Sequence, residues 1–208
     1  MNYLAVLASG NGTNLQAIID AIECGALPKT QISVVVSNRK EAFALQRAER
    51  HGIPTLYHPL LPYRRTHGDR ARQAYDADLA KQLASFPVDL VVLAGWMHLF
   101  GMAFLRHYSG RIINIHPALP GMFPGTHGIE EAYEAFRRGE IAHTGVMVHY
   151  VPDEGVDSGP VILQRVVPIY PEDTLDTLEA RMHATEHAVY VDAIAKVLAE
   201  YGARRRSR

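Results

Sequence analysis

Tyr3-Leu-Ala-Val-Leu-Ala8, followed at once by Ser9-Gly-Asn-Gly-Thr-Asn14, decides the fold class. The first stretch is continuously apolar in character, without polar alternation, and reads as a strand buried on both faces. Thr13–Cys24 then carries Leu15, Ile18, Ile19 and Ile22 on one helical face. A strand that turns through glycines into a helix opens a βα unit, and the unit repeats. Ile32–Val36 reads as a strand, Ala42–His51 as a helix ended by Gly52, and Ile53–Tyr57 as a third strand. This βαβαβ opening predicts an α/β fold with a doubly wound, mostly parallel sheet.

Arg64–Ser85 reads as one helix, Leu90–Ala94 as a β-branched strand, and Ala103–His107 as a short helix. Arg111–His116 is the next strand, and Ile129–Arg138 a helix closed by Gly139. From Thr144 the pattern changes. Gly145–Val151 and Pro160–Val167 alternate as strands around the turn-rich Pro152–Gly159, which predicts a late antiparallel hairpin. A final helix covers Thr174–Tyr201, capped by Asp173 or Thr174. No repeat, linker or composition shift interrupts the chain, so 1–208 is expected to be a single domain.

The bulk numbers narrow the function classes. Of the 208 residues, 48% are hydrophobic and 21% charged, enough apolar material for a sizeable core. A net charge of −1 argues against a general nucleic-acid partner. The basic run Arg204-Arg-Arg-Ser-Arg208 reads as a solvated tail over 202–208. Cys24 is alone, which excludes a disulfide framework or a cysteine zinc site, and is expected in the core side of the first helix. Met1-Asn-Tyr-Leu4 does not open a secretory signal, and no apolar run approaches the roughly 20 residues that span a bilayer. The expectation is a cytoplasmic protein with no membrane partner.

Three motifs carry chemistry. Ser9-Gly-Asn-Gly-Thr-Asn14 lets the backbone approach a ligand closely and presents amides at a helix N-terminus, a cradle for a phosphate. Leu15 stands where a dinucleotide fingerprint needs its third glycine, and Ser37-Asn-Arg39 supplies no ribose-binding acid. A phosphate on a small ligand therefore fits better than a dinucleotide, against the alternative of an ordinary turn. In Arg111-Ile-Ile-Asn-Ile-His-Pro117, Asn114 and His116 are two apart and share a strand face, just before a proline that stops the strand. Their place, at the carboxyl end of a buried strand, is where open α/β sheets bind ligands. Downstream, Val148-His-Tyr-Val-Pro-Asp-Glu-Gly-Val-Asp-Ser-Gly-Pro160 brings three acids into one turn. A carboxylate beside an imidazole orients it and favours its charged form, which can donate a proton or stabilise an oxyanion. These acids could equally do no more than build the turn. Among the eleven histidines no compact metal motif appears, so no metal is expected. No Ser or Cys nucleophile motif accompanies them, which leaves direct attack of one substrate on another.

Ala8-Ser-Gly-Asn-Gly-Thr-Asn-Leu-Gln-Ala17, Leu93-Ala-Gly-Trp-Met97, Asn114-Ile-His-Pro117 and Asp153-Glu-Gly-Val-Asp-Ser-Gly-Pro160 together resemble the phosphoribosylglycinamide formyltransferases, within the folate-dependent formyltransferase superfamily. The resemblance runs from the first strand through Glu186-His187. It implies a Rossmann-like formyltransferase fold and transfer of a formyl group from 10-formyltetrahydrofolate to the amine of glycinamide ribonucleotide, in purine synthesis. It implies Asn114, His116 and Asp157 as catalytic, and Gly12, Thr13, Asn14 and Glu186 as substrate-binding through phosphate and ribose. Arg72, Met97, His98, Leu99 and Asn114 are implied as folate-binding, and His127 and His149 as secondary polar positions. On this likeness residues 1–100 form the phosphate-binding half and 101–190 the catalytic and folate half, in a monomer or homodimer acting on small molecules. His98 departs from a common Arg, Met147 from a small hydroxyl residue, and His183 from a Gln; Ala118-Leu-Pro-Gly-Met-Phe123 departs from Ser-Leu-Leu-Pro.

Three further readings stay open. A formyltetrahydrofolate deformylase would share the trio, but that family usually carries an N-terminal regulatory domain, for which a glycine loop beginning at residue 9 leaves no room. A methionyl-tRNA formyltransferase would add a C-terminal domain and a tRNA surface. From another class, a non-catalytic binding protein for a phosphorylated metabolite would use the same loop but would leave the trio unexplained.

Overall fold

The computed structural model describes residues 1–206, with side chains through Ala203. Seven strands form one sheet: β1 (Asn2–Leu7), β2 (Thr30–Ser37), β3 (Thr55–Tyr57), β4 (Leu90–Leu93), β5 (Ile112–His116), β6 (His143–Tyr150) and β7 (Val161–Pro168). Their order is β3-β2-β1-β4-β5-β6-β7. β1 pairs in parallel with both β2 and β4, and β6 with β7 in antiparallel. The parallel, doubly wound sheet and the late hairpin are those read from the sequence.

The chain divides into two compact units, and the division falls inside β5. Residues Met1–Ile113 with Val151–Gly155 form the first. Its core is the reason its strands show no alternation: Leu4 to Ala8, Val34 to Val36 and Leu90 to Val92 are all fully buried. Helices α1 (Thr13–Glu23), α2 (Phe43–Arg50), α3 (Leu61–His67), α4 (Ala71–Leu83) and α5 (Met102–Leu105) belong to this unit. An aromatic ladder runs beneath its last segment, Trp96 against Phe100, Phe100 against Phe104 at 4.1 Å, and Phe104 against Tyr108.

Two expectations fail here. The single helix Arg64–Ser85 is two helices, because Gly68 takes φ +51° and the 3₁₀ turn Gly68–Arg70 redirects the chain before α4 begins. Cys24 is exposed, since α1 ends at Glu23 and Cys24 lies past its buried face, its thiol on the Ala21 carbonyl.

The second unit takes Asn114–Tyr150 and the chain from Val156 onward, with α6 (Gly128–Arg137) and α7 (Leu175–Arg206). α7 packs on β6 and β7. Its start is a reciprocal cap: the Thr177 amide donates to Thr174 Oγ1, and the Thr174 amide to Thr177 Oγ1. Asp173 supports the cap from outside, accepting Arg181 on both carboxylate oxygens at 2.7 Å. The helix expected to stop at Tyr201 continues through Arg206, as the good helix formers Ala203 to Arg206 permit; Ser207 and Arg208 of the expected tail lie outside the described residues.

Gly145 on β6 has no room for a side chain. A Cβ there would lie 2.4 Å from Leu119 Cδ2 and 2.5 Å from the Arg165 carbonyl oxygen, inside any allowed contact. Gly145→Ala should therefore lower stability by about 1–3 kcal/mol. Urea unfolding followed by circular dichroism checks this, and an unchanged midpoint would contradict the packing.

Candidate active site

In the second unit, Asn114 and His116 at the end of β5, His149 on β6 and Asp157 build one polar cluster. Alternation along β5 does put Asn114 and His116 on one side, and both reach Asp157. Asn114 Nδ2 donates to Asp157 Oδ1 at 3.2 Å and lies 3.2 Å from His149 Nε2. His116 Nδ1 is 3.4 Å from Asp157 Oδ2, and His149 Nε2 is 3.5 Å from Oδ1. The Gly125 amide donates to Oδ2 at 3.1 Å. His149 Nδ1 faces the Tyr150 carbonyl at 2.8 Å, which can only accept, so that nitrogen carries a proton and Nε2 is free to receive Asn114. Both histidines are 2% exposed.

Asp157 takes φ +47°, a left-handed conformation that an Asp tolerates better than most residues and that turns its carboxylate toward these partners. Burial pushes its pKa up, but the neighbouring His149 and His116 imidazoles and the Gly125 amide outweigh it, and the carboxyl is held below its usual range. A stable anion is thus packed against an imidazole whose other nitrogen, His116 Nε2, is buried with no hydrogen-bond partner among the described residues. A buried polar atom left unpaired is costly and marks a place for a ligand or a reacting group.

In the first unit the glycine loop is more constrained than its sequence suggests. Gly12 sits at φ +75° as the N-cap of α1, and a Cβ on it would lie 2.8 Å from Ala44 Cβ. The Ala44 amide donates to the Gly10 carbonyl, and Arg47 grips Asn11 through both its carbonyl and its side chain. Thr13 and Asn14 begin α1, with Asn14 buried. At the end of β4 the Met97 amide donates to Ser9 Oγ, so this turn is tied to the glycine loop. Met97 and Leu99 expose 52% and 59% of their surfaces on either side of His98. His98 Nε2 meets Asn38 Nδ2 at 2.9 Å. Burial, then the charges of Arg72, Arg64 and Arg39, lower its pKa to about 4, so it is neutral near pH 7 and does not replace a cation. Arg72 on α4 lies over the Tyr75 ring, with Nη2 buried and without a hydrogen-bond partner among the described residues.

The remaining expected residues lie in the second unit. Glu186 is buried on α7 and pairs with His183 Nδ1 at 3.2 Å, which raises the His183 pKa. His127 is exposed beside Glu130. Among the described residues no group of three or more His, Cys, Asp or Glu is arranged to hold a metal ion, and no helix is long and apolar enough to cross a membrane.

The family described as formyl transferase matches residues 2–194. A phosphoribosylglycinamide formyltransferase of Schizosaccharomyces pombe is 46% identical over 95% of this chain and 97% of the relative. The chain belongs to the phosphoribosylglycinamide formyltransferase family. The Escherichia coli member is 43% identical over 90% of this chain and 82% of its own. The crystal structure of the Bacillus halodurans member superposes with a TM-score of 0.85 at 39% identity, covering 96% of this chain and 97% of that one. Against that background, one contributor to the cluster has no mark in the sequence and another does more than the resemblance implies. The Gly125 amide carries no side-chain signal. His149 was read as secondary, although its position on β6 aims it at both Asn114 and Asp157.

The depressed Asp157 pKa has a stability consequence. A carboxyl ionised more easily in the folded state stabilises the fold above its unfolded value of about 3.8, and that contribution is lost as pH falls through the lower folded value. The stability gap between wild type and Asp157→Asn should therefore be widest near neutrality and shrink below about pH 3.8. Denaturant unfolding at a series of pH values measures it; a gap independent of pH would mean that the charge of Asp157 does not stabilise the fold.

Proposed function

We propose that the protein transfers a formyl group from 10-formyltetrahydrofolate to the primary amine of glycinamide ribonucleotide, a step of purine synthesis in the cytoplasm. The observation that carries this reading is the unpartnered, buried His116 Nε2, backed by Asp157 on Nδ1 and flanked by Asn114. The family membership supports the same reading.

The donor supplies an electrophilic formyl carbon and leaves as the free tetrahydrofolate amine, taking one proton on nitrogen. Protonated His116 would present Nε2–H to the oxygen that gains charge as the substrate amine adds. Asn114 would add an amide N–H to the same oxygen. Its Nδ2 is shared between Asp157 and His149, and the weaker of these contacts would yield to the incoming oxygen. Asp157, an anion throughout, would orient His116 and would order the water that carries the amine proton to the departing nitrogen. Gly12, Thr13 and Asn14 would receive the ribonucleotide phosphate on backbone amides, and Glu186 would accept from its ribose. Arg72 Nη2 and the exposed Met97 and Leu99 offer a donor group and apolar surface suited to the folate.

Formyl transfer should depend strictly on glycinamide ribonucleotide. His116→Ala should retain the fold and lose about 10²–10⁴-fold in turnover. An assay of formyl release with and without the ribonucleotide checks both. Equal release without the amine would point to a hydrolase, and a His116→Ala variant with near wild-type turnover would remove His116 from the mechanism.

A further inference from the structure

Asp76 has no place in the chemistry above, yet its side chain is fully buried on α4 in the first unit. Its Oδ2 accepts the Gly101 amide at 2.7 Å. Its Oδ1 lies 3.5 Å from Arg72 Nε, close enough to pair electrostatically but without a hydrogen bond. A second carboxylate completes the arrangement: Glu154 Oε1 accepts the Met102 amide at 2.9 Å. The two acids close on the same point of the backbone, since a Cβ on Gly101 would lie 3.2 Å from Asp76 Oδ2 and 3.3 Å from Glu154 Oε1. Beside them is a cavity of about 580 Å³, lined among others by Asp69, Arg72, Asp76, Arg106, His107 and Glu154. In two of these lining residues a buried polar atom lacks a hydrogen-bond partner among the described residues, Asp76 Oδ1 and Arg72 Nη2.

A neutral side chain could cap the Gly101 amide equally well. A buried carboxylate facing another carboxylate is an expensive cap, and its charge is useful only to something that needs a negative partner. Arg72 is that partner. We propose that Asp76 is a positioning residue for the formyl donor: its carboxylate anchors the Gly101 end of the Met97–Gly101 segment and draws in Arg72, so that both meet the donor in the right place. This rests on the assignment of Arg72 and Met97–Leu99 to the donor.

The geometry makes the device proton-sensitive. Burial is the largest influence on Asp76 and raises its pKa; the Gly101 amide and Arg72 lower it, Glu154 raises it again, and the result is about 6. Arg72 from α4 and Glu154 from the Val151–Gly155 segment face it directly, and Asp69, Arg106 and His107 share its cavity. Ionised Asp76 is the competent form, so donor affinity should be level above about pH 6 and fall below it.

Calorimetric titration of 10-formyltetrahydrofolate into the full chain, from pH 5 to 8, tests this. In Asp76→Asn the dissociation constant at pH 8 should rise about tenfold, the scale of one lost charge-assisted contact, and the wild-type and variant curves should converge by pH 5. The KM for glycinamide ribonucleotide should stay within about twofold. In Glu154→Gln the acid limb should move to lower pH, because removal of a like charge favours ionised Asp76. A purely structural Asp76 would lower the melting temperature and leave the shape of the pH curve unchanged; that result, or equal weakening of both substrates, overturns the proposal. Wild-type protein that binds the donor without transferring formyl would count against the catalytic reading and still leave the Asp76 comparison measurable. Wild-type protein that does not bind the donor would overturn the proposal together with the donor site.

Discussion

β1 and β4 run side by side and parallel, buried from Leu4 to Leu7 and from Leu90 to Leu93, and the glycine loop and the Met97–Leu99 segment both leave from their carboxyl ends. A strand pair covered on both faces cannot slip by one residue without moving apolar side chains out of a filled core. The two loops that follow are therefore delivered to fixed places and joined there. The Ser9 amide donates to the Gly95 carbonyl, and Ser9 Oγ receives the Met97 amide. The glycine loop and the Met97–Leu99 segment are two outlets of one constraint, at the point where β1 is flanked by β2 on one side and β4 on the other.

That constraint is also why the parallel part of the fold was so readable. Where every residue of a strand must be apolar, the composition of five or six consecutive residues identifies it without help from neighbours. Legibility failed where the decision belonged to a single backbone angle. Arg64–Ser85 has helical composition on both sides of Gly68, and nothing in the periodicity says that Gly68 takes a positive φ rather than the helical one it could also adopt. Cys24 failed for a related reason: the helical face continued on paper for one residue after the helix had ended.

The site divides the same way. Asn114 and His116 were visible because strand periodicity is enforced by the sheet. By spacing alone their partner is one of three acids in a turn, among which the family resemblance points to Asp157, and the turn separates their tasks. Asp153 accepts the Gly155 amide and builds the turn, Glu154 reaches the Met102 amide, and Asp157 alone meets Asn114 and the imidazoles. The choice is made by the left-handed backbone at Asp157 and by a main-chain donor, Gly125, neither of which has a compositional mark. Asp76 carries no mark in the sequence. Nothing in the run Tyr75-Asp76-Ala77-Asp78 separates the two acids by composition, yet Asp76 is fully buried where Gly101 returns to it.

Asp157 and Asp76 show how this chain uses one functional group in two ways. Both are carboxyls taken largely out of water, and burial pushes both toward the protonated form. Around Asp157 the structure collects Asn114, a main-chain amide and two imidazoles, with no acid among the groups that shift it, and the carboxyl stays ionised below its usual range. Around Asp76 it provides one amide and one arginine without a hydrogen bond, then adds the like charge of Glu154, and the carboxyl titrates near pH 6. The difference lies in the number of donors and the sign of one neighbour. A residue that must remain an anion through a reaction needs the first environment. A residue that couples a binding surface to the proton concentration needs the second, and the same buried side chain serves either purpose according to what is packed against it.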